Sequence, residues 1–379
     1  MSRSSRQSQI RGLIKLSKYW NKLINDIEPY VAIEQPKPGQ KVIKLNTNEN
    51  PYPPTPKVKE ALDNFDLSDL RLYPDTNSTI VKQAAAKFDG VSEKNIFCGN
   101  GSDEVLAIAF QTFFEKKAFT GLPVLMPDYS YSFYPVFSEF YDIRRKTIAL
   151  KDDFRLDPDD YIGVPNCGIV FANPNAPTSR AVAVSDVEKI AKANPDSVVI
   201  VDEAYVAFSE EYESAVSLIG EYKNICVIRT LSKAFSLAGI RLGYAVGNEE
   251  LIEGLMRARD SFNSYPVDRL AQTVAEAALL DVGYYNETRS KIISTRKWFA
   301  KELLDIGFKM PPSSANFVFA KPPMDCGTLY QNLRSKGILV RYFNKPVLKD
   351  YLRITIGTDE EMRILLDAIK EEVQNAENS

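Results

Sequence analysis

Short, uncharged runs rich in β-branched residues recur through the middle of the chain: Pro123–Met126, Cys167–Ala172, Val198–Val201, Ile225–Ile228 and Tyr244–Val246. Runs of this length without alternation read as strands buried on both faces. A helical pattern at Asp186–Ala193 separates two of them. Strands joined by helical crossovers build a parallel sheet with right-handed connections. The expectation is an α/β chain whose mostly parallel sheet is flanked by helices, with its site at the C-terminal strand ends. After Gly307 the rhythm changes. Strands are predicted at 316–320, 338–342 and 351–356, alternating with helices near 327–335 and 359–373, as in a smaller α+β unit.

Composition removes whole classes of chemistry. The chain of 379 residues has no histidine, which excludes a Ser-His-Asp triad, a Cys-His pair and any His-ligated metal. Proton transfer must then use Lys, Tyr, Asp, Glu or Cys. A net charge of −3 gives no electrostatic case for nucleic acid. No apolar run reaches the roughly 18 residues of a membrane span. Cys98, Cys167, Cys226 and Cys326 are far apart and lack CxxC spacing, which reads as reduced thiols in a cytoplasmic chain. Residues 1–18 carry Arg3, Arg6, Arg11, Lys15 and Lys18 without an acid, as a disordered tail does. A short helix is expected at Tyr19–Ile27.

Lys233 follows the strand Ile225–Ile228 in TLSKAF, among small residues that leave its amine uncrowded, and Arg241 stands in the next Gly-flanked turn. Asp202 ends the strand Val198–Val201, and Tyr205 is on the same turn. A lone lysine of this kind is more often a snorkelling surface residue. The set is different. Lysine can carry an aldehyde cofactor as a Schiff base, a carboxylate can hold a protonated ring nitrogen, and arginine with hydroxyls can hold a phosphate. Asp202, Tyr205, Ser232, Lys233 and Arg241 resemble the site of the fold type I aminotransferases, which use pyridoxal 5′-phosphate. Gly99–Glu104 opens a helix, and its free N–H groups suit the same phosphate through Gly101, Ser102 and Asp103.

The segment KLNTNENPYPPTP, with Pro51, Pro53, Pro54 and Pro56, cannot be a helix or a central strand and reads as a crossing loop. Its Asn-Glu-Asn-Pro is similar to the histidinol-phosphate aminotransferases, and the resemblance covers about Tyr19 to Val373. It implies that Thr230 joins Ser232 and Arg241 around the phosphate, and that Tyr129 stacks on the cofactor ring. It implies a homodimer in which Tyr73, in RLYPD, serves the phosphate of the other subunit. It places Tyr30, Asn48, Asn316, Arg341 and Arg353 at the substrate. It also implies a large cofactor-binding domain at 48–285 and a small domain from 19–47 and 286–379. In NPNAPTS one departure stands out: Ala176 occupies the place of the asparagine that bonds the cofactor O3′ in most relatives. Either Asn173 or Asn175 reaches O3′, or Tyr205 holds it alone. The Ala176–Pro177 bond is expected to be cis.

The activity implied is transfer of an amino group from histidinol phosphate to 2-oxoglutarate, with Lys233 moving the proton, as in histidine biosynthesis. An aromatic aminotransferase or a threonine-phosphate decarboxylase are rivals on the same scaffold. A cofactor-binding regulator without turnover is a rival of another class.

Overall fold

The structure is a computed structural model and describes residues 17–27, 35–36 and 39–378. Tyr30 and residues 1–16 lie outside them. Strands form at Ile43–Lys44 (β1), Ile96–Gly99 (β2), Val124–Pro127 (β3), Arg145–Ile148 (β4), Gly168–Ala172 (β5), Val199–Asp202 (β6), Ile225–Thr230 (β7), Gly243–Gly247 (β8), Phe317–Ala320 (β9), Ile338–Leu339 (β10), Arg341–Tyr342 (β11) and Leu352–Thr355 (β12). Seven of them make one sheet in the order β2-β8-β7-β6-β5-β3-β4. The pairs β4–β3, β3–β5, β5–β6 and β6–β7 are parallel, as the alternation predicts.

Tyr244–Val246 departs from that pattern. β8 runs antiparallel to both β7 and β2. The segment joining β7 to β8 carries Lys233 and Arg241 and only one short 3-10 turn, Ala238–Ile240, so it reverses the chain instead of crossing over. β4 has no apolar run to betray it: its sequence is RKTI, largely exposed, as suits the edge of a sheet.

Alternate residues of the central strands feed two cores. Ile169, Phe171, Val199, Val201, Ile225 and Val227 pack on one face. Val170, Ile200, Cys226 and Ile228 pack on the other, against Val105, Ile108 and Phe110 of the helix Gly101–Phe113. Fully burying each such side chain contributes about 1.5–3 kcal/mol, so the strands cannot slip register without exposing a whole face. A third cluster joins Leu45, Ile292, Phe299, Val318, Leu333, Ile354, Leu365 and Ile369 around a second sheet, β11-β12-β9, which is antiparallel. The run predicted as one strand over 338–342 is two. β10 pairs parallel with β1, and past Val340 the chain changes partner so that β11 pairs with β12. The expected N-terminal helix is shorter than its apolar pattern, at Lys22–Asp26, capped by the Asn21 side chain. Among the described residues no helix is long and apolar enough to cross a membrane.

Candidate active site

A cavity of about 220 Å3 opens at the C-terminal ends of β5, β6 and β7. Its wall includes Asp202 and Tyr205 from β6 and the turn after it. Thr230, Ser232, Lys233 and Arg241 come from the end of β7 and the reversing loop, and Ser102 and Asp103 from the helix Gly101–Phe113. Residues scattered over 140 positions of sequence thus meet because parallel strands end together and the β7–β8 loop folds back across them.

Lys233 is half-buried, and its Nζ donates to the Thr47 carbonyl at 3.0 Å, 5.8 Å from the centre of the Tyr205 ring. The Asn-Glu-Asn segment wraps this lysine. Asn50 Nδ2 donates to the Lys233 and Ala234 carbonyls at 3.2 and 3.3 Å, and Asn48 Nδ2 donates to the Tyr205 hydroxyl at 3.0 Å. Asn48 adopts φ 58, a left-handed conformation that asparagine tolerates better than most residues. Thr355 holds it there, bonding both its N–H and its Oδ1 at 3.0 Å. Glu49 is also on the wall. Burial pushes its carboxyl up, but bonds from Lys44 and Thr47 outweigh this and leave it lowered.

Asp202 is buried, and its carboxylate accepts from the Tyr134 hydroxyl at 2.8 Å and from the Ala204 N–H at 3.2 Å. Burial raises its carboxyl to about 6, against the opposing pull of those two bonds, and the acids Asp103 and Glu203 add to the rise. Among the described residues Asp202 has no ion pair, and its charge is supported only by these two bonds. Tyr134 escapes sequence reading because it is one of several aromatics in YSYSFY, with nothing to distinguish it. The far end holds an arginine paired with an acid. Arg241, with φ 58, reaches Asp103 at 3.2 Å and lies against Gly101. Gly101 has φ 85, and an added Cβ would stand 2.7 Å from the Arg241 guanidinium. At Gly243 a Cβ would meet the Ser102 N–H at 2.4 Å. The two glycines therefore let the helix N-terminus, its first N–H groups and Arg241 converge.

Several expected residues are elsewhere. Asn173 is buried, and its side chain bonds the Val182 carbonyl and N–H at 3.1 and 2.9 Å, so both ends are engaged within the protein. Asn175 is equally occupied, by Ser130, Tyr129 and Thr178. Ala176 faces the cavity, and Tyr205 is the hydroxyl beside it. The Ala176–Pro177 bond is cis, as is Asn173–Pro174. Tyr129 packs with Phe154, Phe319 and Leu348 rather than on the cavity wall. The wall position belongs to Tyr131, whose hydroxyl donates to Asp103 at 2.6 Å. Tyr73 is 77 % exposed and stacks on Tyr265, with ring centres 4.7 Å apart.

Arg341 and Arg353 are cross-strand partners on β11 and β12. Both guanidinium groups lie near the Phe343 ring, at 5.2 and 5.7 Å, and Arg353 donates to the Asn46 carbonyl at 2.8 Å. Asn316 is fully buried and donates to the Asn48 carbonyl at 3.0 Å, tying this second sheet to the loop that wraps Lys233.

The model of the family "Aminotransferase class I and II" matches residues 40–369. The chain belongs to the class I and II aminotransferases. It is 47 % identical to a histidinol-phosphate aminotransferase of Acinetobacter baumannii over 360 residues, 94 % of this chain and 98 % of that one. It is 48 % identical over 357 residues to the histidinol-phosphate aminotransferase of Clostridium acetobutylicum, covering 94 % of this chain and 99 % of that one. Among solved structures, the histidinol-phosphate aminotransferase of Sinorhizobium meliloti in complex with pyridoxal-5′-phosphate superposes with a TM-score of 0.84. It is 26 % identical over 95 % of this aminotransferase and 99 % of that chain.

The donor set of this aminotransferase fits that cofactor. A desolvated carboxylate lacking a cation matches a protonated ring nitrogen. A helix N-terminus, hydroxyls and an arginine matched across two glycines suit a phosphate, and an amine stands between the two ends.

Proposed function

We propose that this aminotransferase binds pyridoxal 5′-phosphate and moves the amino group of histidinol phosphate to 2-oxoglutarate. The cofactor, when bound, supplies an aldehyde that condenses with amines and a ring that accepts electrons from the substrate Cα. Asp202 would hold the ring nitrogen, with Tyr134 holding Asp202. Ser102, Asp103, Thr230, Ser232 and Arg241 hold the phosphate end, largely through N–H groups, hydroxyls and the guanidinium. Lys233 Nζ would take the proton from the donor Cα and deliver it to C4′ of the cofactor, and reverse that transfer with the acceptor. The Thr47 carbonyl and the bonds from Asn50 keep the lysine backbone and amine in place while it does so. The division into a large unit at 48–285 and a small unit from 19–47 and 286–379 fits the separate clusters around the two sheets.

The observation that carries the substrate reading is the pairing of Arg341 with Arg353 directly across β11 and β12. Two adjacent guanidinium groups suit a phosphate dianion, and either one suits the carboxylate of glutamate. A site for an aromatic side chain needs an apolar wall there instead. Specificity constants for histidinol phosphate, phenylalanine, tyrosine and phosphothreonine, each with 2-oxoglutarate, test this. Histidinol phosphate is expected to lead. A higher value for phenylalanine or tyrosine overturns the reading in favour of aromatic transamination.

A homodimer belongs to the same proposal. Tyr73, Tyr265, Leu67, Leu70 and Phe262 leave large apolar side chains exposed, with Tyr73 of the RLYPD turn stacked on Tyr265, which suits a surface covered by a second copy. A second copy would cover them and receive Tyr73 at its phosphate end. Co-refolded Tyr73→Phe and Lys233→Ala chains, each inactive alone, should then regain activity in the hybrid.

A further inference from the structure

Asp202 and Glu203 are consecutive, both buried, and turned to opposite faces of the seven-stranded sheet. Asp202 lies on the cavity wall with Thr230. Glu203 shares the reverse face with Arg229, the residue before Thr230. Its carboxylate accepts from Ser214 Oγ and from the Ala215 N–H, both at 2.7 Å, and lies 3.4 Å from Arg229 Nε. Arg229 reaches Asp89 at 2.9 Å, and the Tyr244 hydroxyl donates to Asp89 at 2.7 Å. Arg229 and Asp89 border a separate groove of about 1010 Å3 together with Tyr285. No residue expected to touch cofactor or substrate is part of this network.

The network is nevertheless one peptide unit from the carboxylate that meets the cofactor ring. Glu203, Asp89 and Arg229 together are net negative when all are ionised, Arg289 lies farther along the same groove, and Arg229 is the cation in contact with both acids. We propose that Arg229 is a positioning residue for the reaction: by neutralising Glu203 it sets the potential at Asp202 and hence the proton affinity of the bound cofactor. This rests on the cofactor reading above. The other groups that face Asp202 are Tyr134, Tyr131, Tyr205, Asp103 and Lys233, and none of them changes in the variants below. A unit charge about 10 Å away at an effective dielectric of about 40 moves a titration midpoint by about half a pH unit.

The test is a pH titration of the visible absorption of the cofactor-loaded full chain. Arg229→Gln removes a positive charge and should raise the midpoint by about half a unit. Glu203→Gln removes a negative charge and should lower it by a similar amount. The double variant should return near the wild-type value, and Arg229→Lys should stay there. A purely structural role for Arg229 predicts no opposed shifts and no cancellation. If Arg229→Gln does not fold, the Glu203→Gln shift and the Arg229→Lys rescue decide the matter alone. An unmoved midpoint, or a shift of the same sign in both single variants, overturns the proposal. A protein that takes up no pyridoxal phosphate and shows no visible band removes the cofactor reading itself, and this proposal with it.

Discussion

The two faces of the central sheet hold buried carboxylates in opposite ways. On the reverse face Glu203 is bonded by a hydroxyl and an N–H and lies beside Arg229, which also holds Asp89. On the cavity face Asp202, one residue earlier, has a phenol and one N–H but no cation among the described residues. Burial raises both carboxyls; on the reverse face the Arg229 guanidinium opposes the rise without cancelling it, and on the cavity face only hydrogen bonds oppose it, leaving Asp202 at about 6. A fold supplies the partner of a charge that serves the fold. It leaves open the partner of a charge that serves a ligand. Damage to the two faces should therefore read out in different quantities.

The largest expected effect is on the cavity face. Lys233→Ala removes the amine proposed to move the proton, and turnover should fall by about 10^3-fold or more, with little change in the thermal midpoint. A borohydride-reduced peptide map carrying the cofactor on another lysine would move the centre of the site and break the comparison. Next, Glu203→Ala leaves Ser214, the Ala215 N–H and Arg229 short of a buried partner, and should lower stability by about 3 kcal/mol in chemical denaturation.

Asp202→Asn sharpens the contrast through pH. The carboxyl stands at about 6 in the folded, cofactor-free chain, above its unfolded value near 3.8. Between those values the folded state binds the proton more tightly, so the stability that Asp202 contributes falls as pH rises. The loss approaches about 3 kcal/mol by pH 7. Asparagine cannot titrate. The cofactor-free Asp202→Asn chain should therefore gain on the wild type between pH 4 and pH 7, while the loaded enzyme loses activity. A difference that stays flat with pH would mean that the carboxyl is not raised.

Much of this was legible in the sequence, and the gaps have physical causes. The courses of β6 and β7 could be read because buried parallel strands are uncharged runs, here reaching Val201 and Ile228, although β7 continues through Arg229 to Thr230. Lys233, Arg241 and the Gly101 turn could be read because small residues and glycines mark close approach. The side-chain directions of NPNAPTS could not. Asn173 and Ala176 each precede a proline, and which of them faces the cavity depends on the course of the backbone there, which no period in the sequence reports. The same is true of Tyr129 and Tyr131, two positions apart and alike in composition. The antiparallel course of β8 is invisible in its own residues and follows from the loop before it.

Away from the sheet, Arg341→Ala removes one of two facing guanidinium groups. A charge-assisted bond contributes about 1.5–3 kcal/mol, so the specificity constant for histidinol phosphate should fall at least about tenfold more than that for phenylalanine. Equal losses would place Arg341 outside the substrate site.

The smallest effect tests why Asp202 is not raised further. Tyr134 is fully buried, and its hydroxyl donates to Asp202 at 2.8 Å. That bond favours the ionised carboxyl and opposes desolvation. Tyr134→Phe keeps the ring and its packing on Tyr131 and Phe110 but removes the donor. The Asp202 carboxyl should then rise above about 6. Well below the wild-type midpoint the carboxyl is protonated in both chains, and the lost bond costs little there. Above it the variant must either ionise a less supported carboxylate or keep a proton that solution no longer favours. The stability deficit of cofactor-free Tyr134→Phe should thus be about 1 kcal/mol larger at pH 7.5 than at pH 4.5. A deficit equal at both values would make Tyr134 a packing residue only, and would leave the Ala204 N–H as the sole bond holding Asp202 below its fully desolvated limit.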